Sequence, residues 1–198
     1  DGATSNVATV TVQVTGLNDE PVANDDSDSA TEAESVTIDV VANDTDVDGS
    51  VVASTVAIVP LSGPSNGSLV NNGDGTVTYT SDAGFSGTDS FQYTVDDNDG
   101  ATSDPATVTV DVNAKPDAVD DSGSTDEDTP TTIDVAVNDS DPDGSLDLTS
   151  VAIVSGPSHG SASPNGDGTV TYTPSWDSLA AGETQSDIFT YTIDDNDG

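Results

Sequence analysis

Valine and isoleucine alternate with threonine, serine and aspartate through most apolar runs of this chain. Val10, Val12 and Val14 are spaced by Thr11 and Gln13; Val36, Ile38 and Val40 by Thr37 and Asp39; Val77 and Tyr79 by Thr78; Phe91, Tyr93 and Val95 by Gln92 and Thr94. A period of two puts the apolar side chains on one face of a strand, whereas a helix needs a period near 3.6. The runs are short and are bounded by Gly, Asn and Asp, the residues that turn a chain sharply. These features predict an all-β fold of short strands, each with one buried and one wet face.

The alternation comes in two copies. DGATSNVATVTVQV at 1–14 returns as DGATSDPATVTVDV at 99–112, and NDTDVDGS at 43–50 as NDSDPDGS at 138–145. VAIV at 56–59 recurs at 151–154, NGDGTVTYT at 72–80 at 165–173, and VDDNDG at 95–100 as IDDNDG at 193–198. The offset drifts between 98 and 93 residues because insertions and deletions fall between the motifs. Structured motifs joined by tolerant loops produce that pattern. Three segments are expected: residues 1–16, the last strand of a preceding repeat; residues 17–113, a complete repeat; and residues 114–198, a second repeat lacking its final strand. About seven strands in roughly 95 residues point to an immunoglobulin-type β-sandwich in each. The expected strands of the complete repeat lie near 21–24 and at 35–41, 51–59, 67–70, 75–80, 88–95 and 105–112. If they run alternately up and down, the entry linker shares one end with the loops after the second, fourth and sixth strands. An odd strand count then sends the chain out at the far end, so that repeats stack head to tail.

One lysine, Lys115, and no arginine stand against 38 carboxylates, a formal net charge of -37. Such a chain has no basic patch for nucleic acid and is repelled by an anionic membrane. No apolar run approaches the length of about 18 residues that spans a bilayer, so membrane insertion is not expected. Cysteine is absent, which removes disulfides, thiolate metal sites and a Cys nucleophile. Self-repulsion at this charge density opposes compaction, and folding therefore calls for bound counter-charge. The acids are 33 Asp and 5 Glu, short carboxylates set beside Gly and Asn as in turns and hard-cation loops. The expected cofactor is Ca2+.

Asp44, Asp46 and Asp48 before Gly49, and Asp139, Asp141 and Asp143 before Gly144, fit D-x-D-x-D-G, the opening of an EF-hand calcium loop. The twelfth loop positions hold Thr55 and Ser150 in place of a bidentate Glu, and the flanks read as strands, so further oxygens must come from elsewhere. The up-and-down argument supplies Asp96, Asp97 and Asp99, their second copies Asp194, Asp195 and Asp197, and Asn18, Asp19 and Glu20 from the entry linker. Asp25 and Asp26, with Glu32 and Glu34, are expected at the far end, as are Asp120, Asp121, Glu127 and Asp128; there they would reach cations shared with a next repeat. The short linker Asn113–Pro116, carrying Lys115, leaves the second junction with fewer ligands. The competing reading is salt adaptation, in which acidic loops only keep the protein soluble. His159 reads as a turn residue, Trp176 as packing with Leu179 over the sandwich end, and the Thr-x-Thr arrays at 76–80 and 169–173 as outward strand faces. The acids lie in wet loops without an apolar pocket to raise a pKa, which argues against an enzyme.

The set NDxDxDG, DGTVTYT and DSFxYTVDD resembles the cadherin-like or bacterial Ig-like tandem-95 repeats of giant RTX-type bacterial adhesins, over essentially the whole chain. SLAAGETQSDIFTYTIDDNDG at 178–198 is similar to the related VCBS-type repeat. The resemblance implies calcium-stabilised modules repeated between a cell-anchored end and a ligand-binding tip, exported by a type I route from a Gram-negative cell. It also implies calcium ligation by Asp44, Asp46, Asp48, Asp96, Asp97, Asp99 and their second-copy equivalents. The expected function is a structural extender in the extracellular stalk of a large adhesin or matrix fibre of the biofilm kind, with neighbouring repeats as partners. The alternative is an adhesive module that itself binds a glycan or a partner-cell ligand. Residues 7–14 duplicate the strand that the second repeat lacks, so strand donation between chains into filaments is a further expectation; a longer chain whose next repeat supplies that strand is the alternative.

Overall fold

The computed structural model describes residues 1–176 and 179–196. Seven strands build the first repeat: β1 (Asp26–Thr31), β2 (Ser35–Asp39), β3 (Ala57–Ile58), β4 (Gly67–Asn71), β5 (Thr76–Ser81), β6 (Gly87–Thr94) and β7 (Ala106–Asn113). They form two sheets, β1-β7-β6-β3 and β2-β5-β4. The period of two sets their inner faces. Val77 and Tyr79 of β5 and Ala106, Val108, Val110 and Val112 of β7 are buried in one core with Ile38, Phe91 and Tyr93. On the outer face of β2 and β5, Thr37 meets Thr78 at 3.0 Å and Ser35 meets Thr80 at 2.7 Å, cross-strand hydroxyl pairs of the kind that stabilise a sheet. The repeat is an all-β sandwich.

The first strand departs from expectation. Residues 21–24 contribute only the bridge of Val22 to Thr45, and β1 begins at Asp26, running parallel to β7 with Asp26 opposite Val108 and Thr31 opposite Asn113. Its sequence, DSDSAT, carries almost no apolar alternation, and its partner is remote in the chain, so no local pattern announces it. This overturns the far-end placement of Asp25 and Asp26. Asp25 accepts the Thr107 N–H at 2.7 Å, at the start of β7, and Asp26 accepts the Asn43 amide at 3.0 Å, beside the D-x-D-x-D-G loop. Glu32 and Glu34 do lie at the other end of β1, where Glu32 N–H bonds the Asn113 carbonyl at 2.8 Å and Glu34 pairs with Lys115 at 2.7 Å.

The second repeat has β8 (Thr131–Asp134), β9 (Leu146–Ser155), β10 (Gly160–Pro164), β11 (Thr169–Pro174) and β12 (Thr190–Asp195), paired as β10-β11-β8 and β12-β9. Among the described residues it has no counterpart of β7, and none of β1 either. In the first repeat β1 pairs with β7 alone. Gly87 to Gln92 of β6 find their sheet partners in β7, while β3 pairs only with Tyr93 and Thr94. The core cluster of this repeat is Val135, Val151, Val170 and Ile193, with Phe189 and Tyr191 half-covered. A groove of 1120 Å³ opens between the 118–127 segment and the 187–191 segment. Trp176 and Leu179 line it, and the His159 ring stacks on Trp176 with centroids 3.9 Å apart.

Asp89 is only 6% exposed. Burial works against its charge, but N–H groups of Ser65 (2.9 Å), Asn66 (2.8 Å) and Ser90 (2.9 Å) and the Tyr79 hydroxyl (3.2 Å) outweigh it and hold the carboxyl below its ordinary value. Asp187 repeats the arrangement with Ser158, His159, Ile188 and Tyr172. Asp89→Ala strands these donors in the interior and should cost about 3 kcal/mol in urea unfolding. A folded-state pKa below the ordinary value means that Asp89 stabilises the fold above pH 3.8 and that this contribution fades as the pH falls further. The difference in stability between wild type and variant should therefore narrow in acid.

Candidate cation site

Three chain segments meet at one end of the first repeat: the entry linker, the loop from β2 to β3, and the loop from β6 to β7. The Asn18 amide donates to Asp97 Oδ2 at 2.7 Å, and the Asp19 N–H reaches the Asp48 carboxylate at 3.3 and 3.4 Å. The Ser50 N–H donates to Asn98 Oδ1 at 2.6 Å, and the Asp48 N–H to Asp46 Oδ1 at 3.3 Å. The second repeat makes the same junction with other residues. The Asn113 amide donates to Asp195 Oδ2 at 2.7 Å, the Ala114 N–H lies 3.2 and 3.1 Å from the two Asp143 oxygens, and the Asp143 N–H is 3.4 Å from Asp141 Oδ1. Lys115 does not enter this cluster; its ammonium bonds Glu34.

Not all of the acids are free to bind anything. Asp97 Oδ1 accepts N–H groups of Asp99 (2.8 Å), Gly100 (2.6 Å) and Ala101 (2.9 Å), and the Asn18 amide first, then these N–H groups, holds its carboxyl below the ordinary value. Asp96 takes the Thr102 hydroxyl at 2.6 Å and Asp99 the Asn98 amide at 3.0 Å. The aspartates of this loop thus organise the loop itself. Asp46 and Asp141 are different. Each buries its Oδ2 with no hydrogen-bond partner, at equivalent positions of the two repeats. A Cβ on Gly49 would lie 2.6 Å from Asn98 Oδ1 and 2.7 Å from Asp46 Oδ2, so only glycine lets the backbone close over these oxygens. The donors are all oxygen, which suits a hard cation such as calcium. Among the described residues, however, no three Asp, Glu or His side chains are gathered closely enough to enclose a metal ion.

The D-x-D-x-D-G triplet is split. Asp44 leaves Asp46 and Asp48 and turns toward the sandwich, where its Oδ1 accepts the Asn24 N–H at 2.8 Å and its oxygens lie 3.0 and 3.1 Å from the Tyr93 hydroxyl. That hydroxyl also touches the carbonyls of Val40 and Asn24. In the second repeat the Tyr191 hydroxyl lies 3.1 and 2.9 Å from Asp139 and 3.1 Å from Asp121. Asp121, like Asp26, thus joins an inner acidic cluster at the near end, which corrects its far-end placement as well. Asp26 Oδ2 is buried without a hydrogen-bond partner, and burial, then the charge of Asp44, pushes its carboxyl up to about 6. Burial likewise raises Asp44 and Asp121. Glu20 and Asp120 are exposed, Asp194 lies on β12 opposite Asp147, and Asp197 falls outside the described residues. Sequence reasoning missed Tyr93, Tyr191, Asp89 and Asp187; the signal was present, since both copies place Asp two residues before Phe and Tyr two after it.

Residues 18–114 match the family model for the bacterial cadherin-like domain, and residues 113–198 that for the bacterial Ig domain. The chain belongs to the bacterial cadherin-like and Ig-like repeats. No curated protein matches it. Among solved structures, the PKD domain from the KIAA 1837 protein is 22% identical, with 56% of this chain and all of that one covered, at a TM-score of 0.35. A domain fragment of intimin is 20% identical over 83% of this chain and 93% of that one, at 0.34. The endo-fucoidan hydrolase MfFcnA4 is 16% identical over 96% of this chain at 0.38, and the chain spans only 29% of that enzyme's length.

The inner cluster makes a pH prediction for the cadherin-like repeat. Asp26 is raised from 3.8 to about 6 in the folded state, so its protonation favours the fold fully below pH 3.8, and that contribution is lost as the pH climbs through about 6. In excess chelator, Asp26→Asn should raise the melting temperature at pH 7 and leave it nearly unchanged at pH 4. Melts across this range check the sign.

Proposed function

We propose that the chain is a calcium-stabilised extender segment of a large extracellular bacterial adhesin or fibre, its repeats serving as structural links. Bacterial cadherin-like and Ig domains are typically extracellular structural modules, and no described helix is long and apolar enough to cross a membrane. The observation that carries the calcium reading is the pair of orphaned buried oxygens, Asp46 Oδ2 and Asp141 Oδ2. A buried carboxylate oxygen without a donor is costly, and its recurrence at the same loop position of both repeats marks it as a built feature.

Asp46, Asp48 and Asn98 would hold the cation in the first repeat, with Asp141, Asp143 and Asn196 in the second. Bound calcium would supply the counter-charge that a chain of net charge -37 lacks. The residues of the chain do the rest. Asn18 ties the entry linker to the loop from β6 to β7, Asn113 ties the end of β7 to the end of β12, and Gly49 lets the backbone close over the oxygens. Extracellular calcium modules bind at about 10⁻⁴–10⁻³ M. At a hundredfold excess over the dissociation constant, each site adds about 2.7 kcal/mol to the folded state.

Calcium should therefore raise the melting temperature in the millimolar range, and excess EGTA should lower it, with sodium chloride at equal ionic strength unable to substitute. Asp46→Asn and Asp141→Asn should each remove one binding event in calorimetric titration. A melting curve indifferent to EGTA would refute the reading.

A further inference from the structure

β4 turns into β5, and β10 into β11, on the same four residues, Asn-Gly-Asp-Gly at 72–75 and 165–168. In each turn the asparagine N–H bonds a threonine carbonyl, Asn72 to Thr76 at 3.1 Å and Asn165 to Thr169 at 2.9 Å. The glycine that follows has a positive φ, 75° at Gly73 and 77° at Gly166. The asparagine amide donates to the same threonine's hydroxyl at 2.8 Å in both turns, and that hydroxyl donates to Asp74 at 2.7 Å or Asp167 at 2.6 Å. Both asparagines are exposed. An asparagine before glycine is open to attack on its side-chain amide by the next backbone nitrogen, because glycine has no side chain to block the approach.

The two turns differ at the atoms that such an attack uses. In the first repeat the nucleophile is occupied, since the Gly73 N–H donates to Asn71 Oδ1 at 2.9 Å. In the second, Pro164 stands in place of Asn71 and has no side-chain acceptor. Among the described residues the Gly166 N–H has no hydrogen-bond partner. The electrophile differs as well. The Asn72 amide nitrogen donates to Thr76 and also to Thr78, at 3.1 Å. In the second repeat the direction is reversed, and the Thr171 hydroxyl donates to Asn165 Oδ1 at 3.1 Å. A donor on that oxygen polarises the amide and stabilises the negative charge that develops there as the nitrogen adds.

We propose that Asn165 is a site of self-catalysed deamidation, with Asn72 as its shielded counterpart. The Gly166 nitrogen adds to Asn165 Cγ, the N–Cγ bond forms, the Cγ–Nδ2 bond breaks, and ammonia departs with the proton that the Gly166 nitrogen loses. Water then opens the five-membered imide at either carbonyl and leaves an aspartyl or an isoaspartyl residue at position 165. Either product sets a carboxylate where an amide donated to Thr169, in the same turn as Asp167 and in a chain of net charge -37. The isoaspartyl form also adds a carbon to the backbone between β10 and β11. The second repeat therefore loses stability as it ages, while the first keeps it.

The test is incubation of the folded full chain in mildly alkaline buffer, followed by chymotryptic peptide mapping with mass spectrometry. Asn165 should deamidate several-fold faster than Asn72. In concentrated urea, where neither turn is formed, the two rates should converge, which separates geometry from local sequence. Thr171→Val keeps the shape of the side chain on β11 and removes its donor; it should slow Asn165 in the folded chain and leave the rate in urea unchanged. Circular dichroism checks that the variant is folded, and the comparison in urea stands without it. Equal rates at Asn72 and Asn165 in the folded chain, a difference that persists undiminished in urea, or an unchanged Asn165 rate in folded Thr171→Val would overturn the proposal.

Discussion

With one ammonium group for 38 carboxylates, this chain cannot neutralise its buried acids with side-chain cations. Each acid taken out of water has to find N–H or O–H donors, or an ion from outside. The structure sorts its aspartates by that rule. Asp89, Asp187 and Asp97 each collect several backbone N–H groups, and the donors depress their pKa values. They pin loops to strands, as lysine or arginine pairs do in a less acidic protein. Asp26 is caught between Asp44 and the sandwich with too few donors, and it moves toward the protonated form instead. Asp46 and Asp141 keep a buried oxygen with neither remedy. The first two groups answer to pH with opposite signs, so these acids do not act as a single electrostatic patch.

The strands, the sandwich and the two copies were legible in the sequence because a period of two and a repeated motif are local signals. Val77, Tyr79, Phe91, Tyr93, Val108 and Val110 all reach the core, as their alternation requires. What the sequence hid was non-local. β1 has a polar sequence and is a strand only because β7 lies beside it; its misplacement carried Asp25, Asp26 and Asp121 to the wrong end. The D-x-D-x-D-G spacing suggested one convergent triplet, yet a neighbouring tyrosine hydroxyl draws Asp44 and Asp139 away from the other two. The loop spacing alone contains no trace of that tyrosine. Asp89 and Asp187 were overlooked because an acid inside an alternating strand looks like a solvent-facing residue until its donors are seen.

The near-duplicates at 1–14 and 99–112 carry the same apolar alternation. The two segments differ only at Asn6, Val7 and Gln13, against Asp104, Pro105 and Asp111. In the second of them, residues 106–112 belong to the strand β7, buried between β1 and β6. β7 is central in its sheet, so it is a template for both neighbours, and a sandwich of this order is cooperative around it.

That central strand is also continuous with the junction. β7 ends at Asn113, whose side chain already holds Asp195 of the next repeat. The strand that closes one sandwich therefore delivers the residue that fastens the following one, and strain on the linker is passed straight into the β6–β7 ladder, which resists it along its whole length. Between residues 8–14 and Asn18 the corresponding path contains Thr15, Gly16 and Leu17. About 10 Å of extra chain separates the strand from its junction there, and a glycine loosens it further. A joint made through this segment would bend more readily than the one at Asn113.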